Sequence, residues 1–130
     1  MNKIHCPIPF KFAVGETFAP PPFLWEIEDD TQCPPVCTPV NLTGFTAAFT
    51  AKQSSESLLL PDILATTQNG MIQIDGILGS IQLILPSWYT AEIVPFCGFW
   101  DLWVFSPPYS TVATRLFGGE IEVFLAVGSP

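Results

Sequence analysis

Apolar residues in this chain recur at every second position, in short runs broken by prolines and glycines. A period of two marks a strand with one buried face, because successive side chains point to opposite sides of a sheet. "IPFKFAV" places Ile8, Phe10 and Phe12 on one face, and "FLWEIED" places Phe23, Trp25 and Ile27 opposite Glu26 and Glu28. "GFTAAFTAK" groups Phe45, Ala47, Phe49 and Ala51, and "MIQID" and "SIQLIL" repeat the pattern around Gln73 and Gln82. In "GEIEVFLAV", Ile121, Val123, Leu125 and Val127 alternate with Glu120, Glu122 and Phe124. Only "PSWYTAEI" (86–93) reads as helical, as a single turn opened by Pro86 and Ser87. Gly70, Gly76 and Gly79 read as turn residues, and Gly118–Gly119, between two alternating runs, as a hairpin turn. We therefore expect an all-β fold, an immunoglobulin-like antiparallel β-sandwich of seven to nine short strands with one short helical turn. The 130 residues fit one domain. Residues 1–13 form an N-terminal arm or first strand and residues 14–130 the sandwich, with a Cys/Pro-rich loop at 29–41 bulging between the second and third strands.

Charge limits the partners. Charged residues make up 12% of the chain and hydrophobic ones 48%, against about 25% charged in a typical soluble domain. So sparse a charge predicts a surface that faces other proteins in a multi-copy assembly. The net charge of −8 argues against nucleic acid, which needs clustered Lys and Arg, and against anionic membrane surfaces. No apolar run approaches the ~18–20 residues of a membrane helix. The start, "MNKIHCPIPFKF", lacks the apolar core of a signal peptide. We expect synthesis in the cytoplasm, where thiols stay reduced.

Catalysis is hard to build from these residues. The only histidine is His5, near the terminus, and no nucleophile elbow, Walker loop or dinucleotide fingerprint is present. We expect no enzyme activity and no cofactor. Asp29–Asp30 reads as a turn starter. Asp101 stands among aromatics in "FWDLWVF", where an unpaired buried charge is costly, so it faces out or pairs with Arg115.

The four cysteines are Cys6, Cys33, Cys37 and Cys97. The C-x₃-C of "CPPVC" falls within zinc spacing. Its only second pair is His5–Cys6, whose adjacent side chains rarely both ligate, so no metal is expected. Redox chemistry of the thioredoxin type uses C-x-x-C at a helix start, which is missing. Free thiols, with Cys97 as buried core filler, and disulfides within the chain or to a partner both stay open. The aromatics carry a similar choice. Alternation puts Phe99, Trp103 and Phe105 on one face of a strand and Trp100, Leu102 and Val104 on the other. A strand apolar on both faces reads as a central strand covered on both sides, once by a partner. The competing reading is a sugar platform using Trp88, Tyr89 or Trp100.

Four pieces carry a resemblance: "VGETF" (14–18), "VNLTGFTAAF" (40–49), "GSIQLILPSWYTAEI" (79–93) and "FWDLWVFSPPYSTVATRLFGGEIEV" (99–123). In this order they resemble a family of small bacteriophage and prophage tail proteins with an immunoglobulin-like β-sandwich. The matching places are Gly15 to Phe18, Leu42 to Gly44, Gly79 to Pro86, Thr90–Ala91, Asp101–Leu102 and Arg115 to Val123. The resemblance implies a virion structural protein of the tail or baseplate that connects subunits or anchors a tail fibre. Edge-strand pairing and apolar burial would hold it. It carries over no catalytic or ligand residue. A capsid decoration or neck protein and a host-glycan receptor-binding module are the alternatives. Trp100 stands where the family usually has Tyr, and "TQCPPVCTPV" replaces a short polar connection. That added stretch reads as an attachment device, with Cys6, Cys33 and Cys37 as candidates for a disulfide to a neighbouring chain and Cys97 as an uncertain disulfide or buried thiol.

Overall fold

The computed structural model describes residues 8–29, 31, 36–53, 61–107 and 112–125. Its strands are β1 (Phe10–Ala13), β2 (Phe23–Leu24), β3 (Glu26–Asp29), β4 (Val36–Pro39), β5 (Thr46–Lys52), β6 (Ile63–Thr66), β7 (Ile72–Asp75), β8 (Ser80–Leu83), β9 (Phe96–Phe105) and β10 (Ala113–Phe124). One helical turn, α1 (Ser87–Thr90), lies between β8 and β9, with Pro86 as its N-cap. The period-two pattern produces these strands because each buries one face. In β5, Ala47, Phe49 and Ala51 are buried, and the residues between them are only half-buried.

Two sheets pack together as an all-β sandwich. The larger has the order β1-β10-β9-β5-β6 and the smaller β2-β8-β7. Pairing is antiparallel except for β1, which runs parallel to β10. β2 and β3 are one extended stretch that changes partner at Trp25. The Trp25 N–H donates to the Gly79 carbonyl beside β8 (2.9 Å), and its carbonyl accepts from Val40 N–H beside β4 (2.9 Å).

Two expectations need correction. The stretch 29–41 is partly a ribbon rather than a plain loop: β3 pairs with β4, with Glu26 opposite Pro39 and Glu28 opposite Cys37. Val36 and Thr38 favour extended backbone, and Pro39 is tolerated because β4 is an edge strand. Gly118–Gly119 is not a hairpin turn. β10 runs straight through it, pairing Gly118 with Asp101 and Gly119 with Trp100. Both glycines serve close approach instead. A Cβ at Gly118 would collide with the Arg115 guanidinium, and one at Gly119 with the Ile8 carbonyl. The bare backbone at Gly119 lets the segment before β1 settle on β10, where Ile8 N–H donates to the Gly118 carbonyl at 3.0 Å.

The core centres on Trp100, which is 1% exposed. Phe10 and Phe49 stack on it at centroid distances of 4.6 and 5.3 Å. Phe23 reaches it from the smaller sheet at 5.7 Å and also meets Phe117 at 5.2 Å, closing the sandwich. The indole N–H donates to the Ile8 carbonyl at 2.8 Å, so the buried ring leaves no polar atom unpaired. The motifs behind the resemblance meet in this framework. Phe18 and Leu85 exchange backbone hydrogen bonds of 3.0 and 2.8 Å, and the buried Thr90 hydroxyl donates to the Glu16 carbonyl at 2.8 Å. Their roles here are turns, bridges and packing.

A candidate assembly surface on the larger sheet

β9 is the middle strand of the larger sheet, and it is apolar on both faces. Trp100, Leu102 and Val104 point into the core and are at most 1% exposed. Phe99, Asp101, Trp103 and Phe105 point outward, and Phe99 remains 48% exposed. Trp103 and Phe105 are half-buried there. Burial of a large aromatic favours association, so an outward aromatic row in mid-sheet is informative in a way that a scattered exposed Leu is not.

Strand register sets what surrounds the row. Phe99 lies between Glu120 of β10 and Lys52 of β5, and Asp101 between Gly118 and Thr50. Trp103 lies between Arg115 and Ala48, and Phe105 between Ala113 and Thr46. The face therefore has an aromatic spine, small residues beside its middle, and opposite charges across Phe99. Arg115 Nε donates to Asp101 Oδ1 at 2.6 Å, as expected for that carboxylate. The missing side chain at Gly118 gives the guanidinium its place. Both partners are about half exposed (53% and 43%), so this pair orients the face more than it stabilises the fold. Farther along, Lys11 Nζ lies 3.6 Å from Glu122 and 5.3 Å from the centre of the Phe124 ring.

The cysteine and tryptophan expectations fare unevenly. Cys97 is an exposed free thiol rather than a buried one. It stands two residues before Phe99, so the same alternation that buries Phe96 turns Cys97 outward. Cys6 and Cys33 lie outside the described residues, and Cys37 is described only through its backbone pairing. His5 also lies outside them. Among the described residues no group of three or more His, Cys, Asp or Glu is placed to hold a metal ion. Trp100 is unavailable to any sugar because it is the centre of the core. Trp88 is 67% exposed, beside a half-buried Tyr89 whose hydroxyl is already engaged.

That hydroxyl blunts a sheet edge. Leu64 N–H on β6 donates to Tyr89 Oη at 3.0 Å. Asn69 Nδ2 donates to the Leu64 carbonyl at 3.2 Å, and Asn69 Oδ1 accepts from Thr66 N–H at 3.0 Å. Side chains thus occupy the groups that an incoming strand would use. Sequence reading missed this, because Tyr89 and Leu64 are 25 positions apart and nothing local joins them. We predict that Tyr89→Phe lowers stability by about 0.5–1 kcal/mol, since water replaces part of the bond. It should also speed hydrogen exchange at the Leu64 amide by NMR. An unchanged exchange rate would show that Tyr89 does not guard the edge.

Comparison with protein-family models and with curated proteins finds no match for this chain. The family resemblance therefore rests on its sequence motifs alone.

Proposed function

We propose that this chain is a structural subunit of a bacteriophage tail or baseplate, connecting neighbouring subunits or anchoring a tail fibre. It docks through the outer face of its larger sheet. The observation that carries this reading is the outward aromatic row on the central strand, in which Phe99 is exposed and Trp103 and Phe105 are half-buried. Fully burying an exposed large apolar side chain is worth about 1.5–3 kcal/mol, and each ring of this row gains the part of that which its remaining exposure allows. The scarcity of charge supports the same reading, and the ordered motifs supply the tail or baseplate context. Face-to-face burial is favoured over strand addition at β6, where Tyr89 and Asn69 block the edge.

The test is quantitative mass spectrometry on purified particles, with tails separated from heads. The chain should co-purify with tails at a fixed ratio to other tail proteins. Its absence from particles would overturn the reading, and recovery with heads would move it to capsid decoration. A disulfide from Cys6, Cys33 or Cys37 to a neighbouring chain would lock the docked state. Under that proposal, alkylated particles on non-reducing gels show the chain in a heavier species that collapses on reduction. Migration at 14.2 kDa under both conditions would remove the covalent link.

A further inference from the structure

Resting on the assembly reading above, we propose that the occupant of the outer face is the same face of a second copy of this chain. Charge placement is the first reason. The protein carries a net charge of −8, yet every Lys and Arg among the described residues, Lys11, Lys52 and Arg115, stands on the larger sheet. Lys11 pairs there with Glu122 and Arg115 with Asp101, and Lys52 and Glu120 stand on opposite sides of Phe99, so the described residues of this face carry three charges of each sign. Glu16, Asp75 and Glu92 lie elsewhere with no basic residue on the other described elements. Two acidic copies repel one another through their other surfaces and least through this one.

Self-complementarity is the second reason. A twofold axis lying in the interface along β9 sets each outward β9 residue against its own equivalent. The same axis sets β10 of one copy against β5 of the other. Phe99, Trp103 and Phe105 then form a seam interrupted once, at Asp101. Glu120 of each copy faces Lys52 of the other, because the two flank Phe99 on opposite sides. Asp101 meets its equivalent with each charge already balanced by its own Arg115. Sheets packed face to face stand about 10 Å apart, within reach of aromatic and charged side chains.

Area is the third reason. Strands spaced about 4.8 Å apart and rising about 3.4 Å per residue give this five-stranded face roughly 500 Å² in projection. Side chains standing off it raise the accessible area toward the ~800 Å² that each partner gives to a standard interface.

Sedimentation equilibrium of the purified full chain, in reductant, tests the proposal. A species of twice the 14.2 kDa chain mass is expected. Trp103→Glu should weaken the dimer at least ~100-fold and Phe99→Glu comparably, as for central interface aromatics. Trp88→Glu should leave it intact. Glu120→Lys alone should weaken it about tenfold, and adding Lys52→Glu should restore it. Circular dichroism confirms that each variant is folded. A monomer at high concentration, a dimer indifferent to Trp103→Glu, or a double reversal that fails to restore would each overturn the proposal. The two readings fail differently. A monomer that still enters particles with this face protected removes the second copy and leaves the assembly role. A dimer absent from particles does the opposite.

Discussion

Trp100→Ala is expected to destabilise the chain by about 3–5 kcal/mol, the range for large aromatics cut from a packed core. Three causes act together. The ring is 1% exposed, so its removal leaves a cavity rather than a surface notch. It touches Phe10 of β1, Phe49 of β5 and Phe23 of β2, so both sheets lose contacts at one point. Its N–H also holds the Ile8 carbonyl at the entry to β1, and that carbonyl would lose its donor. A domain of this size has only about 5–15 kcal/mol of stability in all, so the variant should be largely unfolded in moderate urea. Trp100→Phe keeps most of the stacking and loses the hydrogen bond, and should cost about 1–2 kcal/mol. Urea titration followed by fluorescence of the remaining tryptophans measures both. A loss under about 1.5 kcal/mol for the alanine variant would mean that the sandwich does not depend on this ring.

Gly98→Ala carries the second large effect. A Cβ there would fall on the Lys52 carbonyl oxygen, 2.7 Å from its carbon and 2.8 Å from Gln53 Cα. All three atoms are backbone, so relief requires β5 and β9 to part at that end of the ladder. We predict a loss of about 2–3 kcal/mol, at the upper side of ordinary overpacking. Gly118→Ala is the instructive contrast. Its new Cβ meets the Arg115 guanidinium, the far end of a flexible side chain that can swing away. The cost there is the exposed Arg115–Asp101 pair, about 1 kcal/mol or less. Thermal melts should separate the two clearly, by roughly 8–12 °C against under about 4 °C. Equal shifts would show that both glycines are held by something other than what their Cβ positions meet.

Period-two alternation is enough to read the strand class, the buried set of β5, the division of β9 into two apolar faces (though not which of them is inward), and the outward or Arg115-paired position of Asp101. These follow from local pattern and burial cost alone. Long-range partners were not legible. Gly118–Gly119 carries the dipeptide signature of a hairpin, but its glycines answer to Arg115 and to Ile8, the latter more than a hundred positions away. Trp25 lies in an unbroken alternating run and still changes sheets, because β8 and β4 compete for its backbone. The parallel pairing of β1 with β10 joins the two ends of the chain, and no local signal marks it. For the candidate surface, the two-faced apolarity of β9 was plain. The bracketing of Phe99 by Glu120 and Lys52 was not, since it depends on the register of three strands. Cys97 was misplaced in the core because a cysteine beside a buried phenylalanine looks like filler until the strand's phase is known.

Hydroxyl-radical footprinting of assembled particles against the dilute free chain tests the central claim most directly. Oxidation of Phe99 and Trp103 should be readily detected in the free chain and fall sharply in the particle, while Trp100 stays protected in both. Equal oxidation of Phe99 and Trp103 in the two states would show the outer face of the larger sheet uncovered after assembly, and would contradict the docking account.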